Sequence, residues 1–229
     1  MTDLASNPPP RSGAFQPPPP AHPNPINDLA AGSHHYDGIA ATASVYRLLA
    51  RLWMREVDLP LLQALATPPL RDTFVAAGGV LPDSLDQATI DELAIDYCRL
   101  LIGPTGHLPP YQSVWQSGQL QSQTVTSMQT FIEITGYQPP PESNLTLPDH
   151  LALQLDLASH IAEQFQFAAQ DTSDVATLAD LRRTYFATHL RWPSEFLQAV
   201  ASRSDTAFYK SLASLTESFL QQEAESPQS

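Results

Sequence analysis

The stretch Pro148-Asp-His-Leu-Ala-Leu-Gln-Leu-Asp-Leu-Ala-Ser-His-Ile-Ala-Glu-Gln-Phe-Gln-Phe167 decides the fold. Wound at about 100° per residue, it places Leu151, Leu155, Ala158, Ala162 and Phe165 on one side. Leu153, Leu157 and Ile161 widen that apolar arc to roughly half the circumference or more. A helix so broadly apolar is wrapped by neighbours, so it belongs at the centre of a core. Only a strip of Asp149, Asp156, His160 and Glu163 stays polar. The start is punctuated to match: Thr146 suits an N-cap, Pro148 the first turn, and Asp149 the positive end of the helix dipole. His150 turns toward the apolar side, beside Leu157 and Ile161. A polar ring there needs a partner, from the protein or from a ligand.

Upstream, Tyr137-Gln-Pro-Pro-Pro-Glu-Ser-Asn-Leu-Thr146 cannot be helical. It reads as a hinge over residues 137–147 that divides the domain into two halves. A helix over about Leu120 to Thr135 precedes it, with Gly136 as the stop. Before that lies Thr105-Gly-His-Leu-Pro-Pro-Tyr-Gln-Ser-Val-Trp115, a loop stiffened by two prolines. Tyr111 and Trp115 on such a loop are either anchors for a peptide or a lid folded onto the core. A helix from Thr89, with a Thr89/Glu92 capping box, runs to Gly103-Pro104 and buries Leu93, Ala94, Tyr97, Leu100 and Leu101. Cys98 lies beside that face without a basic neighbour and reads as a packed thiol, not a nucleophile.

The first amphipathic helix covers about Ile39 to Glu56, with Val45, Leu48, Leu49, Leu52 and Trp53 inward. Its Arg47, Arg51 and Arg55 form a row that reads as a solvated face paired with the chain's own carboxylates, ahead of a site for an acidic partner. Short helices follow near Pro60–Ala66 and Pro69–Ala77. Beyond the central helix, helices are expected over about Val175 to His189, from the Trp192-Pro193 break through Val200, and over about Thr206 to Gln222. No stretch alternates at period two. The expectation is therefore an all-α protein: one compact helical domain over residues 37–224, of about nine to ten helices in two halves joined by the hinge. Residues 1–36, rich in Pro, Ser, Asn and Gln, are expected to be a disordered tail.

The chain carries 24 Asp and Glu against 11 Lys and Arg, a formal net charge of −13. That excludes nucleic acid, whose binding rests on basic contacts to phosphate, and an anionic membrane surface as natural partners. The single cysteine, with no apolar run or basic leader at the N-terminus, points to a cytoplasmic protein. The seven histidines show no metal spacing, and there is no phosphate-cradling loop. Asp149-His150 could serve acid–base chemistry, but no nucleophile lies near it. No enzyme, metal or cofactor is expected.

Asp96-Tyr-Cys-Arg-Leu-Leu-Ile-Gly-Pro104, then Pro109-Pro-Tyr-Gln-Ser-Val-Trp115, then Pro148-Asp-His-Leu151, resemble the TorD/DmsD/NarJ family, its TorD and DmsD branch most of all. The resemblance spans about Ile39 to Gln222. It implies a redox-enzyme maturation chaperone that needs no cofactor itself. Such a protein binds the precursor of a molybdenum-cofactor oxidoreductase, at its twin-arginine signal peptide or on the apo catalytic subunit, and delays its export. The alternative is a NarJ-like assembly factor acting on the mature catalytic subunit. Carried across residue by residue, the implied client-binding positions are Tyr97, Pro110, Tyr111, Trp115, Asp149 and His150. The resemblance also implies a monomer with a minor dimer formed by exchange of halves about the hinge.

In that reading Asp149 accepts charge-assisted hydrogen bonds from arginine, each contributing about 1.5–3 kcal/mol when shielded. Tyr111 and Trp115 stack on guanidinium or cover the apolar stretch. His150 titrates near neutrality and so could release the ligand. That role predicts that Asp149→Ala and Tyr111→Ala weaken binding of a client signal peptide and leave helicity and the melting temperature nearly unchanged. The plainer reading of Asp149 is a helix-start carboxylate contributing about 0.3–1 kcal/mol.

Overall fold

The computed structural model describes residues 25–120, 122–141, 147–171 and 175–225, with side chains from residue 40 onward and, in the central helix, through Ala168. Ten α-helices follow in order: α1 (Pro25–Met54), α2 (Leu59–Leu65), α3 (Leu70–Ala76), α4 (Gln87–Tyr97), α5 (Gln112–Ser117), α6 (Gln123–Thr135), α7 (Leu151–Asp171), α8 (Val175–His189), α9 (Ser194–Arg203) and α10 (Ala207–Glu225). A π-helical turn, Cys98–Ile102, continues α4. Among the described residues there is no strand, and no helix is long and apolar enough to cross a membrane. Most of the tail read over residues 1–36 and most of the hinge's proline-to-threonine end, 142–146, lie outside the described residues. From Pro25 the chain is already helical, ahead of Ile39, where a buried face becomes legible in the sequence. Contacts separate residues 1–35 from residues 36–229, and all that follows concerns the second unit.

Helix α7 is enclosed as its sequence requires. Leu151, Ala152, Leu153, Gln154, Leu155, Leu157, Ala158, Ser159, Ile161 and Ala162 are all buried. α8 packs along it, and α9 packs on α10. Ser159, on α7, donates its hydroxyl to the Ala43 carbonyl of α1 at 2.8 Å. All three tryptophans converge on one ring. Phe196 of α9 is fully buried and meets Trp53, Trp115 and Trp192 at centroid distances of 5.6, 5.7 and 5.9 Å.

Several starts differ from the sequence expectation, each for a local reason. α4 begins at Gln87, not Thr89, because the Asp86 carboxylate takes the Thr89 N–H at 2.9 Å. α6 begins at Gln123 behind Ser122, and the loop ahead of it contains the short helix α5, which has no apolar periodicity to announce it. α7 begins at Leu151, not Pro148, because the backbone around His150 pairs with the loop before α5.

Asp96 shows why its stretch matters structurally. It is 2% exposed, yet it is ionised. Burial alone would raise its pKa, but the Thr206 hydroxyl at 2.7 Å, the Thr206 N–H at 2.9 Å and Arg99 at 2.7 Å hold it below the ordinary carboxylate range. The carboxylate so fastens the end of α4 to the start of α10. Asp96→Asn is expected to cost about 2–4 kcal/mol in urea unfolding. A loss under about 1 kcal/mol would show that the clamp is not holding the two helices together.

Candidate functional site

The loop before α5 and the turn before α7 are joined by backbone. Tyr111 and His150 form an isolated antiparallel bridge. The Gln112 N–H donates to the Asp149 carbonyl at 3.1 Å, and the Leu151 N–H donates to the Pro110 carbonyl at 2.8 Å. Two prolines make this pairing cheap in entropy, since Pro109 and Pro110 already hold the strand-like backbone. The Tyr111 ring then stands edge-on against the His150 imidazole, 5.0 Å between centroids.

His150 caps α7 with its own ring. Its carbonyl accepts the Gln154 N–H at 3.0 Å and its Nδ1 accepts the Ala152 N–H at 3.1 Å. An accepting Nδ1 leaves the proton on Nε2, so the ring is neutral. Burial pushes its pKa down to about 3. The expectation that His150 titrates near neutrality is therefore corrected: it sits 3% exposed, inside the fold, and stays uncharged across physiological pH.

Asp149 has no exposed surface. Its Oδ2 accepts the Ser113 N–H at 2.9 Å and the Thr124 hydroxyl at 3.4 Å. Among the described residues its Oδ1 has no hydrogen-bond partner, and neither does the buried Ser113 hydroxyl. The carboxylate caps the start of α5 and ties it to Thr124 of α6; it is not an open helix-start charge. Asp149→Ala is accordingly a destabilising change, contrary to the expectation of an unchanged melting temperature.

Tyr111 and Trp115 are the half-buried members of the set, and Pro110 is buried. The Trp115 Nε1–H donates to the Pro109 carbonyl at 2.8 Å, and its ring leans on Phe196. The two sequence alternatives, anchor and lid, are thus combined: each ring has one side on the core and one toward solvent. Tyr97 stands apart. It is buried, donates its hydroxyl to the Trp53 carbonyl at 3.1 Å and packs on Tyr209. Cys98 meets Glu56 at 3.3 Å, and burial followed by that carboxylate raises the thiol's pKa, which disfavours the thiolate.

Behind the loop lies a buried polar network that no periodicity foretells. Gln112 Oε1 accepts from Gln154 Nε2 at 2.7 Å and from His189 Nδ1 at 2.9 Å. That assigns the His189 proton to Nδ1, leaving Nε2 to accept the Ser127 hydroxyl at 3.0 Å. Gln154 Oε1 accepts the Trp192 Nε1–H at 2.8 Å. Burial lowers the His189 pKa to about 4. The available signal was compositional: Gln112, Gln154 and His189 are polar residues set among apolar neighbours. The acidic strip of α7 is likewise internally engaged, Asp156 with the Tyr137 hydroxyl at 2.5 Å and Glu163 with Arg47 at 2.9 Å.

No group of His, Cys, Asp and Glu among the described residues could hold a metal ion. What the geometry defines is a half-exposed aromatic loop on an all-helical scaffold. The nitrate reductase delta subunit family model matches residues 60–198. The chain belongs to that family, the one shared by TorD and NarJ. It is similar to the chaperone protein TorD of Shewanella loihica, 28% identical over 195 residues covering 77% of this chain and 88% of TorD. It is also similar to the chaperone protein YcdY of Escherichia coli K12, 28% identical over 177 residues covering 74% of this chain and 86% of YcdY. A crystal structure of an Archaeoglobus fulgidus protein assigned to redox enzyme maturation aligns with a TM-score of 0.47 at 21% identity, over 80% of this chain and 94% of that one. Both of these relatives, TorD and YcdY, are named as chaperone proteins.

The two buried histidines set a pH dependence. Both fold with a pKa below the ordinary 6.5, at about 3 and about 4. On acidification the unfolded chain takes up these protons first, so stability is intact above about pH 6.5 and falls as pH drops toward 4. Each histidine contributes a slope of a little over 1 kcal/mol per pH unit in that window. His150→Asn keeps an N-cap acceptor and removes one titration. Urea unfolding of the variant between pH 6.5 and 4.5 is expected to show a shallower loss; an unchanged slope would contradict the buried neutral ring.

Proposed function

We propose that this chain is a cytoplasmic chaperone for the precursor of a molybdenum-cofactor oxidoreductase. It holds the twin-arginine signal peptide, or the apo catalytic subunit, until the cofactor is inserted, and so delays export. The observation that carries this reading is the Pro109–Trp115 loop, which keeps Tyr111 and Trp115 half exposed while bridged to the Asp149–His150 turn. A twin-arginine segment offers two guanidiniums and an apolar stretch. Ring faces of Tyr111 and Trp115 stack on the former, and their apolar bodies cover the latter.

The other members act mainly from beneath. Asp149 fixes the loop through the Ser113 N–H. His150, neutral, offers one Nε2–H as a donor and no charge to repel arginine. Pro110 holds the bridge, and Tyr97 supports the core at the end of α4.

The description of the matching family favours a second reading, a delta-subunit-like assembly factor that binds the mature catalytic subunit. Affinity capture from the native cytoplasm with mass spectrometry separates the two. A molybdoenzyme precursor recovered with its leader supports the first reading, and the same enzyme recovered only without a leader supports the second.

With a synthetic twin-arginine leader as probe, Tyr111→Ala is expected to weaken binding by about tenfold or more, roughly 1.4 kcal/mol, with the melting temperature nearly unchanged. Asp149→Asn is expected to lower binding and to cost about 1–3 kcal/mol of stability. Equal loss of folding and binding in Tyr111→Ala would make that ring structural and sink the contact role.

A further inference from the structure

Arg47, Arg51 and Arg55 play no part in the Tyr111–His150 site. Arg47 and Arg51 lie one turn apart on α1, about 6 Å along its axis, and Arg55 follows just past the end of that helix. All three line one open trough of about 490 Å3, whose opposite wall includes Tyr137 and Pro140 and whose apolar lining includes Met54. The lining holds one carboxylate, Asp156, which takes the Tyr137 hydroxyl, so three guanidiniums still leave the trough locally basic in a chain with 11 basic side chains against 24 acidic ones.

The chain's own carboxylates satisfy this row unevenly. Arg47 pairs with Glu163 at 2.9 Å and Arg51 with Asp58 Oδ2 at 2.7 Å. Arg55 reaches that same oxygen only at 3.9 Å. Asp58 Oδ1 is already taken by the Leu61 N–H at the start of α2. One carboxylate oxygen thus serves two guanidiniums. Burial, and next the charge of Arg55, lower the Arg51 pKa, the mark of cations held close together. Arg47 and Asp58 are 57% and 48% exposed, and ion pairs at such positions contribute about 0–1 kcal/mol. The pairs of Arg47 and Arg55 exchange readily for better-placed carboxylates, whereas Arg51, 23% exposed, is the fixed member of the row.

We propose that this trough docks an extended acidic segment of a protein partner, with alternate carboxylates laid on Arg47, Arg51 and Arg55. Alternate side chains of an extended strand lie about 6.6–6.8 Å apart on one face. That spacing matches the rise between Arg47 and Arg51, the two arginines on α1. Each guanidinium presents a planar fork suited to a carboxylate. Met54 and Pro140 offer apolar surface to the segment's methylenes. The net charge of −13 disfavours acidic partners elsewhere on the surface. Docking is therefore confined to the row and weakens with salt. The site stands independently of the Tyr111–His150 reading.

The test uses the full chain and the peptide acetyl-Glu-Ala-Glu-Ala-Glu-amide at low ionic strength, followed by NMR of the arginine side-chain N–H groups. Saturable shifts of Arg47, Arg51 and Arg55 are expected, with a dissociation constant below about 1 mM. Arg55→Gln, whose internal contact is weak, is expected to leave the melting temperature unchanged and to weaken binding about fivefold or more. The Lys-Ala-Lys-Ala-Lys counterpart is expected not to bind. No saturation, equal binding by the lysine peptide, or indifference to Arg55→Gln would overturn the proposal. Pyrophosphate binding where the glutamate peptide does not would assign the trough to a small anion instead. Self-association seen by light scattering and abolished by Arg55→Gln, without peptide binding, would assign it to a second copy.

Discussion

A helix enclosed on most of its sides must pair every polar group on those sides within the protein, and α7 imposes that condition on the elements packed around it. Ser159 must find the Ala43 carbonyl, Gln154 must find Gln112 and Trp192, and the His150 ring must cap the helix that follows it. Each obligation recruits a different element: α1, α5, the turn before α9, and the loop before α5. Apolar burial gathers these elements without fixing their registry. The hydrogen bonds from α7 select one registry, because any slip leaves a donor or acceptor stranded in a dry interior.

The aromatic loop inherits its position from that arrangement. From one side it is held by the Asp149 carboxylate and the backbone bridge, and from the other by Gln112 within the Gln154–His189 cluster. Tyr111 and Trp115 therefore project from a framework that is buried and neutral around His150 and His189. Preorganisation of this kind reduces the entropy lost when a flexible peptide is bound. It also explains why a charged residue as close to the loop as Asp149 carries no exposed surface. Its charge is spent on backbone N–H and hydroxyl groups before any ligand arrives.

The sequence displayed the broad architecture because periodicity survives wherever a helix has one wet face. α8 was legible end to end as Val175–His189, and the termini of α2 and α3 fall within a residue of their sequence signals. α7 was recognisable for the opposite reason, the near absence of a wet face. The short α5 was not legible, since a helix of six residues held by outside contacts needs no stripe of its own. The beginning of α7 was misplaced for a related cause. Pro148 and Asp149 have good helix-start chemistry, but the pairing of Pro110 and Gln112 with their backbone outweighs it. For the candidate site, the segments of Pro110 and Tyr111 and of Asp149 and His150, singled out in the sequence, are bridged in the structure. The sequence turned His150 toward the apolar side but gave no measure of how deeply it or Asp149 is buried, so the low pKa of the ring and the enclosure of the carboxylate were not legible. The arginine row was read correctly as pairing with the chain's own acids, and the uneven sharing of Asp58 could be seen only in three dimensions.

The meeting of Trp53, Trp115 and Trp192 on Phe196 has an optical consequence. Every indole of the chain lies against the same ring, although one belongs to α1, one to α5 and one to the turn before α9. Excitation energy passes easily among chromophores clustered in this way, so the intrinsic emission behaves as a single signal. The half-buried Trp115 is the member whose surroundings change when the loop is covered or displaced. A shift in its environment would be read out through all three. The unlabelled protein thus contains its own fluorescent reporter of loop occupancy, built from residues whose first task is to pack the core.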